Sequence, residues 1–198
     1  MPENPYELPK IIELREHYKS LQASLQKESP RAMALVYAAF LEESLEKLLR
    51  AYFAAIRRRH AVTDALFEGF GPLSSFSAKI GIAYSFSLIG ETIERNLTGI
   101  RKVRNSFAHE LDCNSFRDQA VQKYIAAFVL DQKAEERLIE ARKNGSPAAE
   151  LLRLRFLSTC EYIGGVLHSA VIVACQDMPI EAKTKMLEAI GNIGTKTD

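Results

Sequence analysis

The 198-residue chain has few cysteines, almost no net charge and no repeated or low-complexity segment. Its three cysteines, Cys113, Cys160 and Cys175, cannot all pair and show no Cys-x-x-Cys spacing, which argues against a disulfide scaffold and a cysteine zinc site. The 26 Lys and Arg residues balance 25 Asp and Glu residues, so we do not expect a protein that coats nucleic acid or anionic membrane by bulk charge. A local basic patch is still compatible with this balance.

Long apolar runs and alternating strand patterns are also scarce. The N-terminal residues lack the basic start and apolar run of a signal peptide, and no stretch approaches 18 uncharged apolar residues. We therefore expect a cytoplasmic protein with no membrane segment. Metal-ligand spacings are missing, so we expect no metal site. We also expect no other cofactor. Asn144-Gly145 is the one hairpin-like dipeptide, and Ser146-Pro147 after it favours a helix end followed by a new helix.

Apolar residues, 47% of the chain, recur at helical spacing. This pattern predicts an all-α, single-domain bundle of six to seven helices. We expect an N-terminal helix within 1–28, a core bundle over 29–178, and a short C-terminal helix and tail over 179–198. The predicted helices cover 6–27, 30–59, 74–90, 92–111, 114–143 and 147–176, with a short helix from 179 and a loop over 64–72.

The predicted fourth helix is the most informative segment. At 100° per residue its large apolar side chains form one stripe that faces the core. Arg104 falls inside this stripe, and a buried guanidinium needs an acidic or phosphate partner. Glu42 lies within the apolar face of the second helix, so Glu42 and Arg104 are a predicted structural ion pair. The stripe consists of Ile93, Leu97, Ile100, Val103, Phe107 and Leu111.

Asn105 and His109 lie on the rim of the same helix, four residues apart on one face. Arg104 and His109 are separated by about 140° around the axis and about 7.5 Å along it. They meet on one small ligand only if the helix ends near Ala108, if a groove wraps the helix, or if a second subunit brings its own copy. This geometry favours a homodimer with a shared groove.

The residues Arg104-Asn105-Ser106-Phe107-Ala108-His109 form an R-x4-H motif that resembles the signature of HEPN-superfamily helical domains. That resemblance implies a helical bundle, usually dimeric. Many such proteins are metal-independent ribonucleases, and others only bind nucleotides or partners. It also implies roles: His109 as general base or acid at a ribose 2′-OH or leaving oxygen, Arg104 stabilising the phosphate charge, and Asn105 orienting one of them.

A longer segment, Leu66-Phe67-Glu68-Gly69-Phe70-Gly71-Pro72-Leu73, leads into an amphipathic helix and the aliphatic pair Leu88-Ile89. It is similar to the mannitol operon repressor family in order and spacing over roughly residues 30–130, and the signature loop is Gly69, Gly71, Pro72 and Leu73. That resemblance implies a helical transcriptional regulator without a recognisable DNA-binding motif, acting through protein or nucleic-acid contacts. Two functions stay open: such a regulator, or a HEPN-type ribonuclease that serves as a toxin or defence factor.

Two further features each have two interpretations. Gly69-Phe70-Gly71-Pro72 lacks the lysine and flanking strand of a phosphate-binding loop, which favours a tight turn. Arg57, Arg58 and Arg59 end the second helix, where they complement the helix dipole or contact RNA, DNA or an acidic partner. Arg101 and Lys102 extend this basic patch if the fourth helix lies nearby.

Overall fold

The computed structural model describes residues 20, 24–25, 27–57, 60–176 and 179–191, without the side chains of 55–57, 60–62 and 191. All regular secondary structure in these residues is α-helical, which confirms the predicted fold class. The predicted helix over 6–27 lies almost wholly outside the described residues. The described helices are α1 (Pro30–Arg57), α2 (His60–Phe67), α3 (Phe76–Ser85), α4 (Glu91–His109), α5 (Gln119–Ala126), α6 (Gln132–Lys143), α7 (Ala148–Cys175) and α8 (Ile180–Gly191).

Two helices begin where serine caps were predicted. The Ser29 hydroxyl accepts a hydrogen bond from the Ala32 N–H at 3.2 Å, and α1 begins at the next residue, Pro30. The Ser75 hydroxyl accepts from the Ala78 N–H at 3.2 Å at the start of α3. Each hydroxyl satisfies an N–H that has no partner within the helix, which fixes the helix start.

The Asn144-Gly145 pair ends α6, as predicted. Gly145 has a φ of +76°, a left-handed conformation that glycine adopts without steric cost. Its N–H donates to the Arg142 carbonyl at 3.0 Å, and the Ser146 N–H donates to the Ala141 carbonyl at 3.0 Å. This is the Schellman arrangement, which satisfies the last carbonyls and stops the helix.

Three predicted boundaries are wrong. The predicted loop over 64–72 begins inside α2, which continues to Phe67. The predicted third helix stops at Ser85 instead of residue 90, because the chain turns at Ser87, which has a φ of 55°. The predicted helix over 114–143 is two helices, α5 and α6. With α2, which was not predicted as a helix of its own, the described bundle has two helices more than expected for these residues.

Side chains from distant helices stabilise the break between α5 and α6. Asn96 on α4 donates through Nδ2 to the Val129 carbonyl at 2.7 Å and accepts the Val129 N–H at 2.9 Å. Arg155 on α7 donates to the Ile125 carbonyl at 2.9 Å and also to the Phe128 carbonyl. These bonds replace helical hydrogen bonds, so the backbone leaves the helix without unsatisfied polar groups.

Helices α1 and α7, each of 28 residues, pack along one another and form the centre of the bundle. Helix α4 packs on α1 and also contacts α3 and α5, while α6 and α8 lie against α7. One cluster of buried side chains extends from Leu25 to Leu187. The predicted apolar stripe of α4 is buried except for Leu111, which is 85% exposed because α4 ends two residues earlier.

Helix α7 is long and apolar enough to cross a membrane by length and composition alone. Every 18-residue window of this helix contains Glu161, so it does not contradict the expectation about uncharged apolar runs of that length. Within the fold, 61% of its most apolar 18-residue window is buried against other helices. A central core helix has the same properties, so the feature is accounted for by packing.

Candidate functional site

Helix α4 keeps its regular geometry to its last residue, which decides the relation between Arg104 and His109. The Glu110 N–H donates to the Ser106 carbonyl at 2.9 Å, so the helical hydrogen-bond pattern continues past His109. The helix ends at His109, one residue beyond Ala108, and because Arg104 and His109 both lie within it, the two side chains leave the axis about 140° apart. A single chain therefore does not bring them onto one small ligand.

Arg104 faces α1, where its Nη2 lies 3.4 Å from Oε2 of Glu42. The Arg104 side chain is 32% exposed and that of Glu42 is 21% exposed, so the pair is half-buried. The distance is long for a hydrogen bond, and charge attraction contributes most of the interaction. The structure thus brings together the two residues predicted to form an ion pair between the second and fourth helices.

Glu42 also binds Lys79, a residue that the sequence-based prediction missed. Lys79 Nζ lies 3.1 Å from Glu42 Oε1 and 2.8 Å from Glu46 Oε2, and its side chain is only 6% exposed. A buried ammonium is costly unless it is paired, and here two carboxylates one turn apart on α1 compensate it. The signal was present in the sequence, because Lys79 follows Phe76 by three residues on the buried face of α3.

The network continues from Glu46 along α1 to Arg50 and from there to α2. Arg50 Nε donates to Glu46 Oε1 at 2.8 Å, and Arg50 also pairs with Asp64. Burial raises the pKa of the Glu46 carboxyl, but hydrogen bonds and positive charge from Lys79 and Arg50 outweigh it, so the pKa lies below its ordinary value. We call this set the charged network. Its members are Glu42, Glu46, Arg50, Asp64, Lys79 and Arg104.

His109 is exposed at the end of α4, and Arg31 fixes the chain that follows it. The Arg31 Nη2 donates to the carbonyls of Glu110, Leu111 and Cys113 at 3.1, 3.0 and 2.9 Å. These contacts hold the start of α1 against the end of α4, so the two helices run antiparallel. No sequence signal pointed to this contact, because the partners of Arg31 are backbone carbonyls about 80 residues away.

Only part of the predicted basic patch lies among the described residues. Arg57 is the last residue of α1, its side chain is not described, and Arg58 and Arg59 lie outside the described residues. Arg101 is half-buried, and its Nε has no hydrogen-bond partner in the described part of the chain. Lys102 is exposed and turns toward α5, where its Nζ lies 5.4 Å from the centre of the Tyr124 ring.

The signature loop is a tight turn between α2 and α3. Gly69 has a φ of +57°, and a Cβ on Gly71 would collide with the backbone carbonyls of Ala65 and Leu66. The Leu73 N–H donates to the Leu66 carbonyl at 2.8 Å, and the Gly71 N–H also has a backbone acceptor. These N–H groups are therefore occupied within the turn and do not form a phosphate cradle. Pro72 lies between them and sets the direction of the chain into α3.

The cysteines are free thiols, with Cys113 and Cys160 buried and Cys175 half-buried. Burial raises the pKa of all three thiols, that of Cys175 to about 11. Thiols with such pKa values stay protonated near neutral pH and are poor nucleophiles. Within the described ranges, no group of three or more His, Cys, Asp or Glu side chains is placed to hold a metal ion.

Comparison with known proteins gives no matching family model, no matching curated protein and no matching solved structure. The resemblances to the HEPN superfamily and to the mannitol operon repressor family therefore rest on their motifs. The geometry around Arg104 and His109 is the best guide to what the chain does.

Proposed function

We propose that the protein is a non-catalytic regulator of the kind that the mannitol operon repressor family represents, acting in the cytoplasm by binding a partner. The observation that supports this most directly is the separation of the R-x4-H residues. Arg104 is engaged by Glu42 on the side of α4 that packs on α1, whereas His109 is exposed at the helix end. General acid–base catalysis needs both groups within hydrogen-bond reach of one phosphodiester.

The charged network gives Arg104 a structural role in this proposal. Glu42 balances the guanidinium and is itself held by Lys79, so moving Arg104 onto a phosphate leaves a half-buried carboxylate with one partner fewer. Removing one member of such a group is costly. The interaction therefore favours Arg104 as a link between α1 and α4.

A ribonuclease is the second candidate, and one observation favours it. The Arg104 side chain keeps 32% exposure and His109 is exposed, so a second copy of the chain is able to bring its histidine to this arginine. This alternative requires the homodimer expected from the sequence.

Incubation of the purified protein with a mixed RNA panel in EDTA separates the two functions. Wild type, His109→Ala and Arg104→Ala are compared, with folding checked by circular dichroism and oligomeric state by light scattering. We expect no cleavage by any of the three at large protein excess. Cleavage by wild type alone, with 2′,3′-cyclic phosphate ends, would refute the regulator and establish the ribonuclease.

A deletion strain tests the regulatory role directly. We expect transcript levels to change on deletion and to return with wild type and with His109→Ala alike. Unchanged transcripts under every growth condition tested would contradict a regulatory role, and restoration by wild type but not by His109→Ala would make the histidine essential.

A further inference from the structure

One exposed side of α4 carries Lys102, Asn105 and His109. At 100° per residue, Asn105 lies about 60° and His109 about 20° from the direction of Lys102. Lys102 and His109 are exposed and Asn105 is half-buried, so all three reach the surface. Lys102 is therefore the cation on the same side of α4 as His109. Arg104 is on the side that packs against α1, where it contacts Glu42.

Tyr124 on α5 continues this surface. Its ring is partly buried against the hydrophobic core, which holds it in place. Lys102 Nζ lies 5.4 Å from the ring centre and Lys123 Nζ lies 5.0 Å from it. Neither lysine has a carboxylate partner among the described residues. Two uncompensated ammonium groups thus flank one fixed aromatic ring.

The carboxylate of Asp118, five residues before Lys123, accepts two backbone N–H groups at the start of α5. An open groove of about 620 Å³ lies along the exposed side of α5. Two glutamine amides and one ammonium group offer hydrogen-bonding positions along it, between the small side chains of Ala120 and Ala126. The groove is lined by Gln119, Ala120, Gln122, Lys123 and Ala126.

We propose that this surface, formed by Lys102, Asn105, His109, Lys123 and Tyr124, binds single-stranded nucleic acid. Lysines that lack a carboxylate partner bind backbone phosphates, and a fixed tyrosine ring stacks on an unpaired base. The Asn105 amide and the His109 imidazole then hydrogen-bond to sugars or base edges. A duplex keeps its bases stacked and offers none to Tyr124. This proposal depends on the proposed function in one respect, because both hold that the protein binds its ligand and does not cleave it.

The absence of tryptophan from the chain allows a sensitive test. Tyr124→Trp places a sole tryptophan in the surface, and its fluorescence is titrated with a 12-nucleotide RNA, the same DNA sequence, the RNA duplex and poly-glutamate. We expect saturable quenching by both single strands, with at least tenfold weaker binding of the duplex and of poly-glutamate. The ratio of RNA to DNA affinity tells which single strand is preferred.

Labelled-oligonucleotide anisotropy on the full chain then tests the named residues. Tyr124→Ala should weaken single-strand binding by between about fivefold and 150-fold, the range for one stacked base. The double variant Lys102→Ala/Lys123→Ala should weaken it at least tenfold at 0.1 M salt and reduce the slope of log K against log salt by about 1.4. The matched control is Lys133→Ala/Lys143→Ala, which removes the same charge from exposed positions of α6 and should change binding less than twofold.

Three outcomes would overturn the proposal. The first is no saturable fluorescence response to either single strand when Tyr124→Trp is correctly folded. The second is an equal loss of single-strand affinity in the two lysine double variants, and the third is binding of poly-glutamate as tight as that of the single strands, or tighter. The last result would assign the surface to an acidic protein. Failure of the proposed function is seen separately, because RNA cleavage that depends on His109 refutes the regulator and leaves the binding surface standing. An absence of both cleavage and binding rejects only the surface.

Discussion

Replacing Lys79 with methionine tests whether the charged network holds α1, α3 and α4 together. Methionine keeps most of the volume of the lysine stem, so the change removes the ammonium with little effect on packing. Glu42 and Glu46 lose a shared partner, although each keeps an arginine and they are 21% and 27% exposed. Removing one member of a buried pair costs about 3–5 kcal/mol. Exposure and the remaining arginines reduce this, so we expect a loss of about 2 kcal/mol in the free energy of unfolding.

Urea unfolding followed by far-UV circular dichroism at pH 7 measures the effect, as a lower midpoint with an unchanged slope. Lys47→Met is the matched control, because Lys47 pairs with Glu43 at 2.7 Å on the surface of α1, with side chains 33% and 63% exposed. We expect that control to change the free energy of unfolding by less than about 0.5 kcal/mol. Adding Glu46→Gln to Lys79→Met removes a carboxylate that has lost its ammonium partner and should recover part of the loss.

The pH dependence gives an independent reading of the same network. The pKa of Glu46 is lower in the folded state than its ordinary value of 4.5, so its contribution to stability is present above that value and is lost as the pH falls through the folded pKa. Lys79→Met removes one cause of the lowered pKa, so stability should fall less steeply below pH 4.5 than in wild type. The reasoning would be refuted if Lys79→Met and Lys47→Met lowered the free energy of unfolding equally at pH 7 and if the stability of both variants depended on pH in the same way below pH 4.5.

Two other substitutions probe the turn and the break between helices. Gly71→Ala forces a Cβ into backbone carbonyls and should lower stability by about 2 kcal/mol, whereas Gly81→Ala, with open space on α3, should raise it by up to about 1 kcal/mol. Thermal unfolding of the pair checks this, and equal melting temperatures would contradict the steric argument. Asn96→Leu removes both bonds to Val129 and should cost about 2–3 kcal/mol in urea unfolding, while a loss below about 0.5 kcal/mol would show that the Val129 groups find other partners.

The sequence by itself determined the helical class, the main helices and several of their ends. Apolar residues at helical spacing predicted α1, α4 and α7, because an amphipathic helix must bury one side wherever it packs. Ser29, Ser75 and Asn144-Gly145 marked helix ends, because caps act through bonds within a few residues. The same local geometry predicted that Arg104 and His109 diverge around α4 and that Arg104 needs an acid such as Glu42.

Only the tertiary structure decided the features that depend on residues far apart in the chain. The break between α5 and α6 depends on Asn96 and Arg155, whose bonds to the intervening backbone cross about 30 residues of sequence. Burial of Lys79 between two glutamates required α3 to pack on α1. The approach of Lys102 and Lys123 to the Tyr124 ring required α5 to lie beside α4. Periodicity shows which side of a helix is buried, but the identity of the helix that covers it is set by packing of the whole chain.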